Sequence, residues 1–275
     1  MKLNQRITAM RESESKMPPN PKNSLKQKSI FLRDYATELY ASGATTIRIE
    51  KNIGRIVAAW GVRADFSVLP TCIIINMWDK DESTSYNISG KIPADRINFN
   101  TISKLSGLSW DISENRLNEE EAKEKFRAIT SEKRLSPWIV LVLVGLANAS
   151  FCNLFGGDAI SMAIVFIATV DGFLLKQKLP AMGIDYRIVI IMAACLSSLI
   201  CCSGFVFHLG KTPEIALATS VLYFVPGIPF SNAVCDFIYG HYVCGISRFM
   251  HATIITLCLS LGLSLAFLIL NLKFL

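Results

Sequence analysis

The sequence predicts an α+β N-terminal domain followed by an all-α polytopic membrane domain of about five transmembrane helices, the fourth broken at Pro226–Pro229. Three observations carry that expectation. Residues 1–136 hold 22 of the 28 Lys+Arg and 17 of the 22 Asp+Glu, so nearly all the charge lies in the first half. The second half contains five apolar stretches of 17–20 residues, each about the length a helix needs to cross a bilayer. The first half instead mixes helical periodicity with short alternating segments.

Residues 1–28 are polar and basic around "MPPNPKN" and lack the apolar core of a secretory signal, so they read as a disordered basic leader. Residues 29–135 form the α+β domain, long enough for its own core. "FLRDYATELYA" (31–41) is helical. Residues 45–60 follow, with Ile49, Ile53, Ile56, Val57 and Trp60 on one face and Gly61 as the stop. "DFSVLPTCIIINMWD" (65–79) reads as a mostly buried strand, "DKDE" as a turn, and "STSYNISG" (83–90) as its hairpin partner. "NTISKLSGLSWDI" comes next. A last helix starts at the N-cap Asn118, with three glutamates in its first turn and basic residues later, the polarity that the helix dipole favours.

Residues 136–275 form the membrane domain, with spans near 137–155, 159–175, 188–207, 215–234 and 251–270. The loop 176–187 carries three basic residues and one acid, and the 235–250 connection contains Arg248. Placing the basic N-terminal domain, the 176–187 loop and the 235–250 connection on the cytoplasmic side satisfies the positive-inside bias; five spans then put the tail 271–275 outside. The modest basic excess needs no nucleic acid to explain it.

The stretch "VLYFVPGIPFSNAVCD" (221–236) breaks the pattern. Pro226 and Pro229 lack amide donors, and irregular backbone at membrane depth survives only against protein or a water-filled cavity. Transporters use such broken helices to aim half-helix ends at substrate or ions, whereas the plain alternative is a packed proline kink. Asn232 and Asp236 follow on one helix face. Asp171 lies deep in the second span, where an acid is costly, and reads either as a proton or substrate contact or as a hydrogen-bonded structural acid. Asp158 stands at a helix boundary after Gly156 and Gly157, with a capping role and a functional role both open. Asn148 and Asn153 read as interhelical hydrogen-bond partners, and His208, His241 and His251 as interfacial polar residues. The eight cysteines lack metal-ligand spacing and read as small buried thiols. No P-loop, GxSxG, HExxH or CxxC pair appears, so the expectation is no enzyme, no cofactor and no metal.

"SGATTIRIEKNIGRI", "IPADRINFNTISKLSGL", "LNEEEAKEKFRAI", "NLFGGD" and "FVPGIPFSNAVCDFIYGHYVCGISR" occur in the order seen in the threonine/serine exporter family, which the chain resembles over roughly residues 30–272. The resemblance implies a bacterial inner-membrane protein with a cytoplasmic N-terminal domain and five spans. Full-length members carry a second, shorter membrane module that is missing here, so the chain looks like the larger subunit of the split branch. Members of that branch are described as succinate exporter subunits, each completed by a separate small polytopic partner. By position in the motif, the resemblance marks Pro226, Gly227, Asn232, Asp236 and Arg248 as substrate or gate residues. It adds Gly156, Gly157, Asp158, Arg48 and Glu50 as signature positions, and Asp171 and Asp236 stand as proton-coupling candidates.

The expected function is thus a subunit of a secondary exporter for a small carboxylate metabolite, succinate or threonine and serine in type. The rival expectation is a membrane-anchored regulatory or sensory protein whose α+β domain binds a ligand or partner; it leaves the broken fourth span unexplained. An intramembrane enzyme using Asp171 and Asp236 comes last, since neither acid has a catalytic signature around it.

Overall fold

The computed structural model describes residues 21–79, 81–93, 97–133 and 135–270. Contacts divide the chain into two compact units: Met1–Glu132 with Asn232–Ser247, and Lys133–Ser231 with Arg248–Leu275. The segment Asn232–Ser247 therefore belongs to the α+β unit, although the sequence reading placed it wholly in the membrane domain.

In the first unit, helix α1 (Pro21–Ala41) opens on a proline, which suits a first-turn position, so helix already runs through 21–28, part of the expected leader. Residues 1–20 of that leader lie outside the described residues. Leu25, Ser29, Leu32, Ala36 and Leu39 recur at three- and four-residue spacing and are buried, with Tyr35 beside them. Gly43, at φ +93, lets the chain turn out of the helix. Helix α2 (Thr46–Ala59) follows and buries Ile49, Asn52, Ile53 and Ile56.

Three antiparallel strands come next in meander order, β1 (Arg63–Val68), β2 (Cys72–Trp78) and β3 (Ser85–Lys91). The single strand expected over 65–79 is in fact a hairpin. Pro70 sits in its turn, where the Leu69 amide bonds to the Cys72 carbonyl at 2.9 Å. Register runs from Arg63↔Trp78 to Val68↔Ile73, and from Cys72↔Lys91 to Trp78↔Ser85. Alternation along β2 sends Ile73, Ile75 and Met77 into the core, where they join the apolar faces of α1, α2 and α3 (Phe99–Ser113). Asn98 caps α3 at 3.2 Å. Helix α4 (Glu119–Thr130) has a full capping box: Asn118 accepts from the Glu121 amide at 2.9 Å, and Glu121 accepts from the Asn118 amide at 2.8 Å.

The second unit contains α5 (Pro137–Leu154), α6 (Ala159–Lys178, continued by a 3₁₀ turn to Met182), α7 (Tyr186–Val206) and α8 (Pro213–Thr219). A 3₁₀ turn (Leu222–Phe224) precedes α9 (Gly227–Ile238), and α10 (Tyr242–Ile269) ends the described chain. The last two helices run across the division between the units. Among the described residues, four helices are long and apolar enough to cross a membrane, or five if Pro213–Phe224 and Gly227–Ile238, bent by 58°, count as one broken span. The expected tail 271–275 lies outside the described residues. The spans leave large apolar side chains on their outer faces, Leu154 and Leu268 among them, as lipid contact requires. At Gly262 of α10 an added Cβ would lie 2.5 Å from the Ile191 carbonyl oxygen, so α7 and α10 pack almost backbone to backbone.

Candidate functional site

The break in the fourth span lies at Val225–Pro226, slightly earlier than expected. Val225 is extended (φ −56°, ψ 124°), the conformation that a following proline enforces. The Phe230 amide bonds to the Pro226 carbonyl at 3.2 Å and so starts the next helical ladder. Pro229 therefore lies in the first turn of α9, where its missing donor has no partner to lose, and it is not part of the break. An added Cβ at Gly227 would meet nothing within 4 Å, so the backbone there borders open space.

Beyond the break, Asn232–Ser247 is held by the α+β unit through named polar contacts. Helix α2 has Thr45 at its N-cap position, but Thr45 makes no side-chain cap bond. Asp236 supplies one instead: its Oδ1 accepts from the Thr46 amide at 3.0 Å, and the residue is fully buried. A carboxylate at a helix N-terminus meets unsatisfied amides and the positive end of the dipole, which offset the cost of burying its charge. Asn232 Nδ2 donates to the Gly43 carbonyl at 2.8 Å, and the Cys244 thiol to the Val68 carbonyl at 3.3 Å. His241 Nε2 lies 3.4 Å from Glu50 Oε2, and Lys51 sits over the Tyr239 ring at 5.9 Å. Glu50 thus faces this segment, Arg48 is exposed, and Arg248 is half-buried on α10.

The Gly156–Gly157–Asp158 signature forms a tight corner. Gly156 adopts φ +90, and a Cβ on Gly157 would strike Cys152 Sγ at 2.4 Å. Asp158 caps α6 through the Ser161 amide at 3.0 Å and also accepts from the Lys211 amide and the Thr212 hydroxyl, each at 3.0 Å. Hydrogen bonds from Ser161, then from the Lys211 amide, and last from Thr212 hold its carboxyl well below the usual carboxylate range. Asp158 thus fastens the α5–α6 corner to the loop before α8.

A second constellation, which the sequence reading did not assemble, lies around the first half of the broken span. Asn148 on α5 is 2% exposed and donates through Nδ2 to Thr169 Oγ1 at 2.7 Å and to the Thr219 carbonyl at 3.1 Å. The expectation for Asn148 was an interhelical bond; Asn153, given the same expectation, is exposed. Ser197 on α7 donates to the Ala168 carbonyl at 2.9 Å and meets the Tyr223 hydroxyl at 2.7 Å, while Ser198 meets Ser220 at 3.2 Å. Gly172 admits this arrangement, since a Cβ there would lie 1.9 Å from Tyr223 Oη. Asp171 is half-buried beside it on α6. Among the described residues no cluster of His, Cys, Asp and Glu could hold a metal ion, and all eight cysteines are free thiols.

Comparison with known proteins places the chain. It is 28% identical over 235 residues to the "Probable succinate transporter subunit YjjP" of Klebsiella aerogenes, covering 84% of this chain and 89% of that protein. Over 165 residues it is 32% identical to the protein of the same description from Escherichia coli strain K12, covering 59% of this chain and 64% of that protein. No solved structure matches. The family model described as "Putative threonine/serine exporter" matches residues 31–270, and the chain belongs to that family of membrane transporters.

Proposed function

We propose that this chain is one subunit of an inner-membrane secondary transporter that exports a small carboxylate metabolite, completed by a separate small polytopic membrane subunit. The observation that carries the reading is the broken fourth span, with its 58° bend at Val225–Pro226. An anchor or a sensor needs no such interruption, whereas broken helices are how transporters present half-helix ends to substrate and ions. The relatives' description as succinate transporter subunits supports both the substrate class and the partner. In this reading the α+β domain is cytoplasmic, consistent with the basic residues around it and in the 176–187 loop. The start of α9 at Gly227, bordered by open space, is the carboxylate-facing end. Pro226 sets the break, and Arg248 is a second contact or gate. Asn232 and Asp236 tie the second half-helix to the domain, so a proton acting at Asp236 would act on that hold, while Asp171 is the other proton-coupling candidate.

The test is efflux from cells preloaded in parallel with succinate, threonine or serine, comparing the chain alone with the chain plus any small polytopic membrane protein that a neighbouring reading frame encodes. Efflux of one substrate only when both are present is the expected result. No efflux of any of the three from a verified, membrane-inserted pair would overturn the reading.

A further inference from the structure

The polar groups around the first half of the broken span can be balanced proton by proton. A carbonyl oxygen only accepts. The Ala168 carbonyl therefore takes the single Ser197 hydroxyl proton, and Tyr223 must be the donor in the Ser197–Tyr223 contact. In the same way, the Thr219 carbonyl fixes the Asn148 amide with its nitrogen on that side. Asn148 Oδ1 then points the other way, buried and without a donor among the described residues. Thr219 spends its own hydroxyl proton on the Ile215 carbonyl at 2.8 Å. Within this cluster the Asn148 amide oxygen is thus left without a donor among the described residues, and the Tyr223 oxygen, having given its proton to Ser197, keeps its lone pairs.

Its position sharpens the chemistry. Asn148, Thr169 and Ser197 lie roughly 15–17 Å along their helices, near mid-span. Thr219 and Ser220 close the first half of the broken span, and carbonyl-bearing C-terminal ends of half-helices are where transporters coordinate cations. Asp171 adds a carboxylate on α6, next to the glycine that faces Tyr223.

We infer that this cluster is a binding site for a small monocation, with the buried, donorless Asn148 Oδ1 as the committed ligand. The cation is either an alkali coupling ion or the ammonium head of an amino-acid substrate, which share the same need for neutral oxygen ligands. The inference rests on the transporter reading and specifies what its membrane unit binds.

The experiment uses the full chain purified in detergent. Thermal unfolding is followed while NaCl replaces choline chloride at constant ionic strength, with and without L-serine or L-threonine, because a ligand that binds only the native state raises Tm. The expected result is a saturable rise in Tm. Sodium acting alone identifies a coupling ion, and an amino acid acting without sodium identifies the ammonium. Asn148→Leu, close in volume but without the oxygen, should raise the half-maximal concentration tenfold or more. Asn148→Asp, which restores an oxygen ligand, should bring it back to within about threefold of the parent, on the order of 0.6 kcal/mol. Asn153→Ala, on the exposed face of the same helix, should leave it unchanged. No saturable shift in the parent chain overturns the inference, as does unchanged binding in Asn148→Leu or loss in Asn148→Asp with its elution profile intact. Cellular efflux without any such shift would sink the cation site alone. A saturable shift in a pair that exports nothing would sink the transport reading alone.

Discussion

Removing the Asp236 carboxylate should loosen a helix that lies 190 residues away in sequence. Helix α2 has no side-chain cap of its own, and Asp236 Oδ1 accepts from its first amide at 3.0 Å in a fully buried position. A cap is worth about 1 kcal/mol, and a buried charge-assisted bond about 1.5–3 kcal/mol, so Asp236→Ala should cost about 2 kcal/mol locally. That corresponds to roughly thirtyfold faster exchange of the first-turn amides of α2, if they exchange through local opening. Asp236→Asn keeps an acceptor and loses only the charge facing the dipole, about 0.5–1 kcal/mol, or roughly two- to fivefold. Hydrogen–deuterium exchange of the full chain in detergent reads both, with the central strand β2 as the internal reference. Equal exchange at α2 in Asp236→Ala and the parent, with β2 unchanged, would refute the capping argument. Acceleration at β2 as great as at α2 would show that the effect is global and does not belong to the cap.

Two further outcomes follow from the geometry of the membrane unit. Gly172→Ala places a Cβ 1.9 Å from Tyr223 Oη and 2.3 Å from Ser197 Oγ, so it should lower Tm sharply; Tyr223→Phe, which removes the nearer atom, should recover part of the loss, and no recovery in the double variant would locate the strain elsewhere. Asp158 is held in its charged form, so its stabilisation is fully present above the ordinary carboxylate range and shrinks as pH falls below about 4. The Tm difference between the parent and Asp158→Asn should therefore be constant from about pH 8 to pH 5 and narrow only under acid; a difference that changes within that neutral range would contradict the assignment.

What could be read from the chain beforehand was whatever is encoded locally. The Asn118 cap with its glutamates appears as a complete capping box, because every partner lies within three residues. The interruption at Pro226 was visible because proline acts on its own neighbours. Pro70 was the same kind of signal inside a stretch read as one strand, and the long apolar run around it obscured the turn. Asp236 looked like an intramembrane acid because it follows an apolar stretch, yet its partner is an amide 190 residues upstream, and no spacing rule reaches that far. His241 was set aside as interfacial, but it faces Glu50 within the α+β unit. The cluster around Asn148 was hidden for another reason. Its members are one amide and several hydroxyls scattered over four apolar segments, and small polar residues are common in membrane helices. Only their convergence, with one amide oxygen left without a donor among the described residues, separates them from ordinary helix packing.

The broken span thus carries two kinds of polar chemistry, one on each side of Val225–Pro226. Before the break, the Thr219 carbonyl, Ser220 and Tyr223 bond to Asn148, Ser198 and Ser197, all of them neutral groups whose bonds involve no change in protonation. After it, Asn232 Nδ2 and Asp236 Oδ1 bond to the Gly43 carbonyl and the Thr46 amide, backbone partners within the α+β unit. A carboxylate engaged in this way is poorly suited to be a standing substrate contact. It is well suited to hold a half-helix in place, because neutralising it removes the charge that the helix dipole favours while leaving the shape of the contact unchanged. On the proposed reading, the two halves divide recognition from restraint. The division falls at the backbone position where Pro226 withholds a donor and the helical hydrogen bonds are interrupted, which is where the two functions can vary independently.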